Sequence, residues 1–361
     1  MKKYLSLLLC LMVLLSGCGG AATSGGSDAA AATTEPVVTE PPMSPYAAAA
    51  MESGNLEYYF YTSDGQTVAT GTYQTTGGDA TLIFFPNGEI MLIDSSTSVG
   101  YPIFKAWLES MGVWKIDYLV MSHNQDDHAG GINAGLIFDF QIGMLYHNGT
   151  RNDILYTALD NDIPFTEMKL NDELKIGEGD NMVTVKCLWP EAEYRKNSNN
   201  SVMKKNGSLV LRIDFGEHSS LFPGDICKTW EGAFKSREEK GVYNADGQIG
   251  AEEQLAEMYQ NGELDVDLLK LANHGNPSTS NGKALWDATT PELAIAIGFY
   301  PLDTGYITAY EQWGYKGDVL FDRKHGFIHI TAKNDGEMIR ETSREDYAEP
   351  FGDHWNTEIG G

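Results

Sequence analysis

The sequence predicts an α/β fold in which two β-sheets pack face to face and helices cover the outside. Three observations point to it. Short β-rich runs come in pairs early, as in "ATLIFF" (80–85) and "EIMLID" (89–94). They then alternate with amphipathic stretches, and the same alternation returns in the second half. No Pro-, Gly- or Ser-rich break follows residue 51, so residues 51–361 are expected to form one domain.

The elements follow in order. Residues 1–17 read as an export signal, with Lys2 and Lys3 ahead of an apolar run, Leu5–Leu15, that is shorter than the ~20 residues a spanning helix needs. "LSGC" resembles the lipobox of bacterial lipoproteins, which implies lipidation at Cys18 and a membrane-anchored, extracytoplasmic protein. Residues 18–50 carry no Lys or Arg and are expected to be a flexible tether, reaching roughly 30 Å as a random coil.

Beyond the tether, "PNG" between the two early β-runs is a hairpin signal. "YPIFKAWLESMG" (101–112) puts Ile103, Phe104, Trp107, Leu108 and Met111 on one helical face and stops at Gly112. "IDYLVMS" reads as a buried strand. "GSLVLRIDFG" and "HSSLFPGD" form a strand pair turning at "GEH". "ICKTWEGAFKSREEKG" and "AEEQLAEMYQNG" read as helices, "DVDLLKLAN" and "ELAIAIGFY" as buried strands, and "DVLFDRKHGFIHITAKNDGEMIR" as closing strands.

The formal net charge is −26, and −28 once Lys2 and Lys3 leave with the signal. Such a surface repels polyanions, which disfavours nucleic acid as a partner. With Cys10 and Cys18 in the N-terminal segment, only Cys187 and Cys227 remain, in apolar surroundings typical of unpaired buried thiols.

The chemistry concentrates in "MSHNQDDHAGG" (121–131). A strand ends there and offers His123, then Asp127 and His128 just before Gly130-Gly131. Imidazole nitrogen and carboxylate oxygen suit zinc, manganese or iron(II). Two further strands end at Asp225 ("FPGD") and at His274 ("LANHGN"). Three strand ends that offer His, Asp-His, Asp and His are what a metal cleft at one rim of a sandwich requires. No Ser/His/Asp order, phosphate-binding Gly loop or dinucleotide Gly pattern is present.

"HNQDDHAGG" is similar to the H-x-H-x-D-H loop of the metallo-β-lactamase superfamily. "TTGGDATLIFFPNGEIMLIDSS", "MSHNQDDHAGGI", "VTVKCLWP", "NGSLVLRIDFGEHSSLFPGDI", "VDLLKLANHGN" and "LFDRKHGFIHIT" resemble, in order over roughly residues 70–335, the motifs of the ComEC-type hydrolase domain of bacterial competence DNA-uptake proteins. The resemblance implies an αββα sandwich of two mixed sheets flanked by helices. It implies His123, Asp127, His128, Asp225 and His274 as metal ligands, with Asp225 able to bridge two ions. Asp127 would also orient the nucleophile as the catalytic residue, and Asp79 and Asp94 would support the site.

Two departures stand out. Gln125 replaces the second His of the motif, and Asn273 replaces the first of two consecutive histidines. The third His ligand that many members carry before the "GSLVL" strand is also absent, and Asn206 is the nearest polar substitute. Glutamine is a weak ligand, so one firmly held ion is expected beside a second that is weak or missing. Lys270, in a buried strand, is expected either to pair with a carboxylate or, like Asn206, to steady an anionic substrate. The resemblance implies hydrolysis of a phosphodiester, in a small molecule or a polymer, with a nuclease as the family-led reading, and a cell-wall phosphodiester suits the tether equally well. The rival reading is a binding protein that has kept the sandwich and lost turnover. Oligomeric state is not disclosed.

Overall fold

The computed structural model describes residues 41–63, 77–150, 153–191, 201–228, 250–260, 262–298, 315 and 317–344. Those from Pro42 onward belong to one compact unit. Cys18, the signal, most of the tether and, of the helix expected over 226–241, all but Ile226, Cys227 and Lys228, which are not helical, lie outside the described residues.

Fifteen strands among the described residues form two sheets. The first has the order β15-β14-β1-β2-β3-β4-β5-β6, built from β1 (Leu56–Phe60), β2 (Thr81–Phe84), β3 (Ile90–Ile93), β4 (Lys115–Met121), β5 (Gln141–His147), β6 (Phe165–Glu167), β14 (Ile328–Ala332) and β15 (Met338–Thr342). The second has the order β13-β12-β11-β10-β9-β8-β7, built from β7 (Glu173–Ile176), β8 (Val183–Trp189), β9 (Val210–Phe215), β10 (His218–Phe222), β11 (Leu268–Lys270), β12 (Leu293–Ala296) and β13 (Asp318–Phe321). Both are mixed. β3 pairs antiparallel with β2 and parallel with β4, and β10 pairs antiparallel with β9 and parallel with β11.

Strand periodicity sorts the side chains into layers. In β2, Leu82 and Phe84 face a cluster under the first sheet while Ile83 joins the layer between the sheets. In β11 and β12, Leu268, Leu293 and Ile295 point to that central layer, whereas Leu269 and Ala294 point outward. The outer face of the first sheet is covered by α1 (Pro45–Ser53) and α2 (Tyr101–Ser110), which contribute Ala47, Ala50, Phe104 and Leu108. The outer face of the second is covered by helices Ala251–Met258 and Lys283–Thr289, through Leu255, Leu285 and Trp286. The result is the layered αββα sandwich. No described helix is long and apolar enough to cross a membrane.

Pro45–Ser53, which overlaps the end of the stretch 18–50 expected to be a tether, is helical. Ser44 caps α1 by accepting from Tyr46 N at 3.2 Å, its hydroxyl donates to Met111 O at 2.6 Å, and Gly54 closes the helix in the left-handed conformation. A run of alanines reads as linker, yet small side chains let α1 lie close against the sheet. Cys187 and Cys227 are both buried, and the Cys187 thiol donates to Trp189 O at 3.1 Å. His218, the last residue of the expected turn "GEH", is also buried: the tip is Gly216-Glu217, and His218 pairs with Phe215 as the first residue of β10. Its ring lies 5.9 Å from that of Tyr58.

Candidate metal centre

The clustered side chains lie just past the carboxyl ends of β3, β4, β10 and β11, where each sheet changes from antiparallel to parallel pairing. β4 ends at Met121, and the chain turns through His123 into α3 (Asp126–Gly131). Ser95 holds this helix to the loop after β3, its backbone N and its Oγ donating to His128 O at 2.6 and 2.9 Å. Asp79 N donates to Asp127 O at 2.8 Å. A Cβ on Gly130 would fall 2.1 Å from Ser98 N, so only glycine lets the helix approach this closely. The glycines after His128 therefore set the depth of the Asp127-His128 pair.

From the second sheet, Asp225 follows β10 and its N donates to Ser208 Oγ at 3.1 Å. After β11, Asn273 and His274 take left-handed φ values of 48° and 58°, a conformation that costs of order 1 kcal/mol or more per residue. Asn281 holds the preceding turn: its Oδ1 accepts from Ala272 N and its Nδ2 donates to Ala272 O, each at 2.8 Å. Strained backbone held by such bonds is frequent at functional sites.

Asp127, His128, Asp225 and His274 converge, each offering an atom within 4.8 Å of the others. His128 Nδ1 lies 2.7 Å from Asp94 Oδ2, and His274 Nδ1 lies 3.1 Å from Ile297 O. With Nδ1–H donating in each ring, Nε2 presents its lone pair to the cleft. His128 Nε2 then faces Asp225 Oδ1 at 3.1 Å, and His274 Nε2 faces Asp127 Oδ2 at 3.0 Å. His128 Nε2 and Asp225 Oδ1 are buried and neither makes a hydrogen bond of acceptable geometry. Lone pairs aimed at one another in a buried site call for a cation, and two imidazoles with two carboxylates suit zinc, manganese or iron(II). The electrostatics show the same demand for positive charge between these atoms, which either a proton on His128 Nε2 or a metal ion satisfies. Burial pushes His128 toward neutrality, but Asp225, Asp94 and Asp127 outweigh it and hold the imidazole well above its usual range. Burial raises Asp225, but His128, Lys205 and His274 outweigh that and hold it well below the usual carboxylate range.

The opposite side of Asp225 is built differently. His123 Nε2 lies 4.0 Å from Asp225 Oδ2, but its hydrogen-bond partner is Gln125 Oε1 at 2.9 Å. Gln125 Nε2 in turn donates to Ser201 Oγ at 3.0 Å. Burial and the neighbouring His128 depress His123 to about 3, so its ring is neutral. Lys205, on the short helix Ser201–Asn206, donates from Nζ to Asp225 Oδ2 at 2.6 Å and to Asn273 Oδ1 at 2.5 Å. On this side the polar groups satisfy one another.

Of the residues singled out from sequence, Asp94 lies directly behind His128, with Ser122 N and Oγ donating to its two oxygens at 2.8 and 2.7 Å. Asn206 does not take the role expected of it, and Lys270 takes the first of its two expected roles. Asn206 turns from the cleft, because its Oδ1 accepts from Cys227 N at 2.9 Å and its carbonyl from Trp189 Nε1 at 2.7 Å. Lys270 is buried and pairs with Asp79, so it is not available to a substrate. Asp79 is thereby a partner of Lys270, with His274 Nδ1 at 3.9 Å. His147 is also buried, and its Nδ1 accepts from Gly149 N at 3.0 Å. Sequence reasoning missed Lys205 and Ser122. The signal for Lys205 was the pair Lys204-Lys205 beside the position of the missing third histidine.

No family model and no curated protein matches the chain. Among solved structures, a metallo-β-lactamase from Cronobacter sakazakii is 16% identical over 42% of this chain and 59% of its own, with a TM-score of 0.29. CmlA, a diiron β-hydroxylase from Streptomyces venezuelae, is 15% identical over 80% of this chain and 54% of its own, at 0.39. A diphosphatase of the PhnP family is 13% identical over 80% of this chain and 98% of its own, at 0.39. The chain spans 52–59% of the length of the first solved structures it matches. At TM-scores below 0.5 these likenesses support neither an activity nor a substrate.

Proposed function

We propose that the protein is a lipid-anchored, extracytoplasmic, metal-dependent hydrolase acting on phosphodiester bonds. The observation that carries the hydrolase reading is the convergence of Asp127, His128, Asp225 and His274, with His128 Nε2 and Asp225 Oδ1 buried and lacking hydrogen bonds. The phosphodiester and the anchor at Cys18 rest on sequence resemblance alone. Asp127, His128, Asp225 and His274 would hold a divalent cation, which would supply water acidified to a pKa of about 7 and polarise the bond under attack.

The chain's own residues do the rest. Asp94 keeps His128 in the Nδ1–H tautomer, and Ile297 O does the same for His274. Asp127 is 30% exposed in its side chain while the other three are buried. It is therefore the ligand at the mouth, positioned to orient a nucleophile. Burial raises Asp127, but His128 and His274 outweigh it and hold the carboxyl below its usual range, so it stays ionised and available as an oxygen ligand.

The rival is a binding protein with a decayed site, favoured by Gln125 bonded to His123 in place of a ligand. One experiment separates the two. Elemental analysis of the purified protein is followed by assay of bis(p-nitrophenyl) phosphate with added zinc or manganese. The hydrolase reading expects bound metal and turnover that disappears in His128→Ala and His274→Ala. A metal-free protein, inert after reconstitution, selects the binding protein. Incorporation of a labelled fatty acid, lost in Cys18→Ser, tests the anchor.

A further inference from the structure

Asp225 presents its two oxygens to unlike neighbours. Oδ1 faces His128 Nε2 without a hydrogen bond. Oδ2 accepts from the Lys205 ammonium at 2.6 Å. The other groups that could hold a cation on the Oδ2 side are already engaged. His123 Nε2 is on Gln125 Oε1, Gln125 Nε2 is on Ser201, and Asn273 Oδ1 is on the same ammonium, at 2.9, 3.0 and 2.5 Å. Asn273 Nδ2 donates to Thr279 Oγ1 at 2.6 Å, which fixes the amide with its oxygen toward Lys205.

We infer that Lys205 is a fixed, built-in cation that takes the place of a second divalent ion and limits the cleft to one. This deepens the hydrolase reading and rests on it, since it concerns the same bridging carboxylate. The arrangement has a chemical logic. A buried carboxylate needs a compensating partner for each oxygen, and a cation is the strongest such partner. An ammonium supplies one such partner permanently and without competition from solution metals. Gln125 and Asn273 then become complements of a lysine. Asn273 offers a neutral acceptor to the ammonium, and Gln125 caps the free nitrogen of His123. A second imidazole at either position would crowd a cation against a cation whenever it was protonated.

The inference predicts that restoring the histidine at position 125 is not enough, because Lys205 still occupies the bridging oxygen. The experiment is metal stoichiometry, by elemental analysis after dialysis and by native mass spectrometry, on the full chain and on Gln125→His, Lys205→His and the double variant. The expected counts are one ion for the wild type and for Gln125→His, rising to two only in the double variant. Manganese-loaded wild type gives the same reading without any substitution. Its electron paramagnetic resonance spectrum should be that of isolated ions even at excess metal. Two ions or a spin-coupled spectrum in the wild type would overturn the Lys205 assignment while leaving the hydrolase reading intact. A folded double variant that stays at one ion would also overturn it. No ion in the wild type would remove the hydrolase reading, and the Lys205 assignment with it.

Discussion

Asp94 Oδ2 lies 2.7 Å from His128 Nδ1, and both side chains are buried behind the candidate metal centre. That contact decides which imidazole nitrogen faces the cleft. Asp94 carries its own reinforcement, because Ser122 donates to both of its oxygens and Asp94 takes a left-handed φ of 61° to reach them.

Asp94→Asn retains the shape but replaces an anionic acceptor with an amide that can present its NH2 to Nδ1. The wrong tautomer would then turn Nε2–H toward Asp225. Loss of such a supporting partner typically lowers metal affinity by about 10- to 100-fold. Competition against a chromogenic chelator measures it. Affinity within twofold of wild type would show that His128 is oriented by packing alone.

Lys270 and Asp79 form a buried ion pair between the two sheets, with 2% and 3% of their surfaces exposed. Removing one partner leaves the other charged and unpaired, which costs about 3–5 kcal/mol. Lys270→Met and Asp79→Asn should each fall in that range in urea unfolding. The double variant should cost clearly less than the two added together, since it strands no charge. Additive losses would mean that the two residues act independently.

Much of the fold was legible because burial and period coincide. Leu82, Ile83 and Phe84 alternate between two apolar layers as their sequence suggests. The cluster was legible because His and Asp beside glycine at strand ends have few structural uses. Lys205 was not. It and Asn206 are adjacent on one short helix, about 100° apart around its axis, and only tertiary packing decides which one faces Asp225. His218 escaped for a similar reason, since one residue of hairpin register separates a solvated tip from the first inward position. In α1, Ser44 and Gly54 were readable caps, but alanines at 47 and 50 carry no hydrophobic contrast to reveal a buried face.

His218 yields a pH prediction. Burial depresses its imidazole to about 4, with Asp267 pulling weakly the other way, and Nδ1 is buried without a hydrogen bond. The unfolded chain takes up this proton near pH 6.5 and the folded chain only near 4. Stability is therefore full above about pH 6.5 and is lost as pH falls toward 4, by roughly 3 kcal/mol at most. Urea unfolding at pH 7.0, 5.5 and 4.5 should show the decline, and His218→Gln should flatten it. An unchanged slope in that variant would assign the decline to other groups.

Gly298 follows β12 with φ +102°, and a Cβ there would fall 2.5 Å from His274 Nδ1. That nitrogen sits 3.1 Å from Ile297 O, the bond that turns Nε2 toward Asp127. Gly298→Ala must therefore push the ring off its carbonyl or bend the backbone, and either movement displaces a ligand while leaving every ligand side chain in the sequence. Metal affinity should fall by about tenfold or more, in line with the loss of an outer-shell contact, with a smaller change in urea stability of the metal-free protein. Both are read on one preparation, by chelator competition and by unfolding with and without metal. If affinity holds while metal-free stability drops, Gly298 serves the β12 turn alone, and the orientation of His274 has another origin.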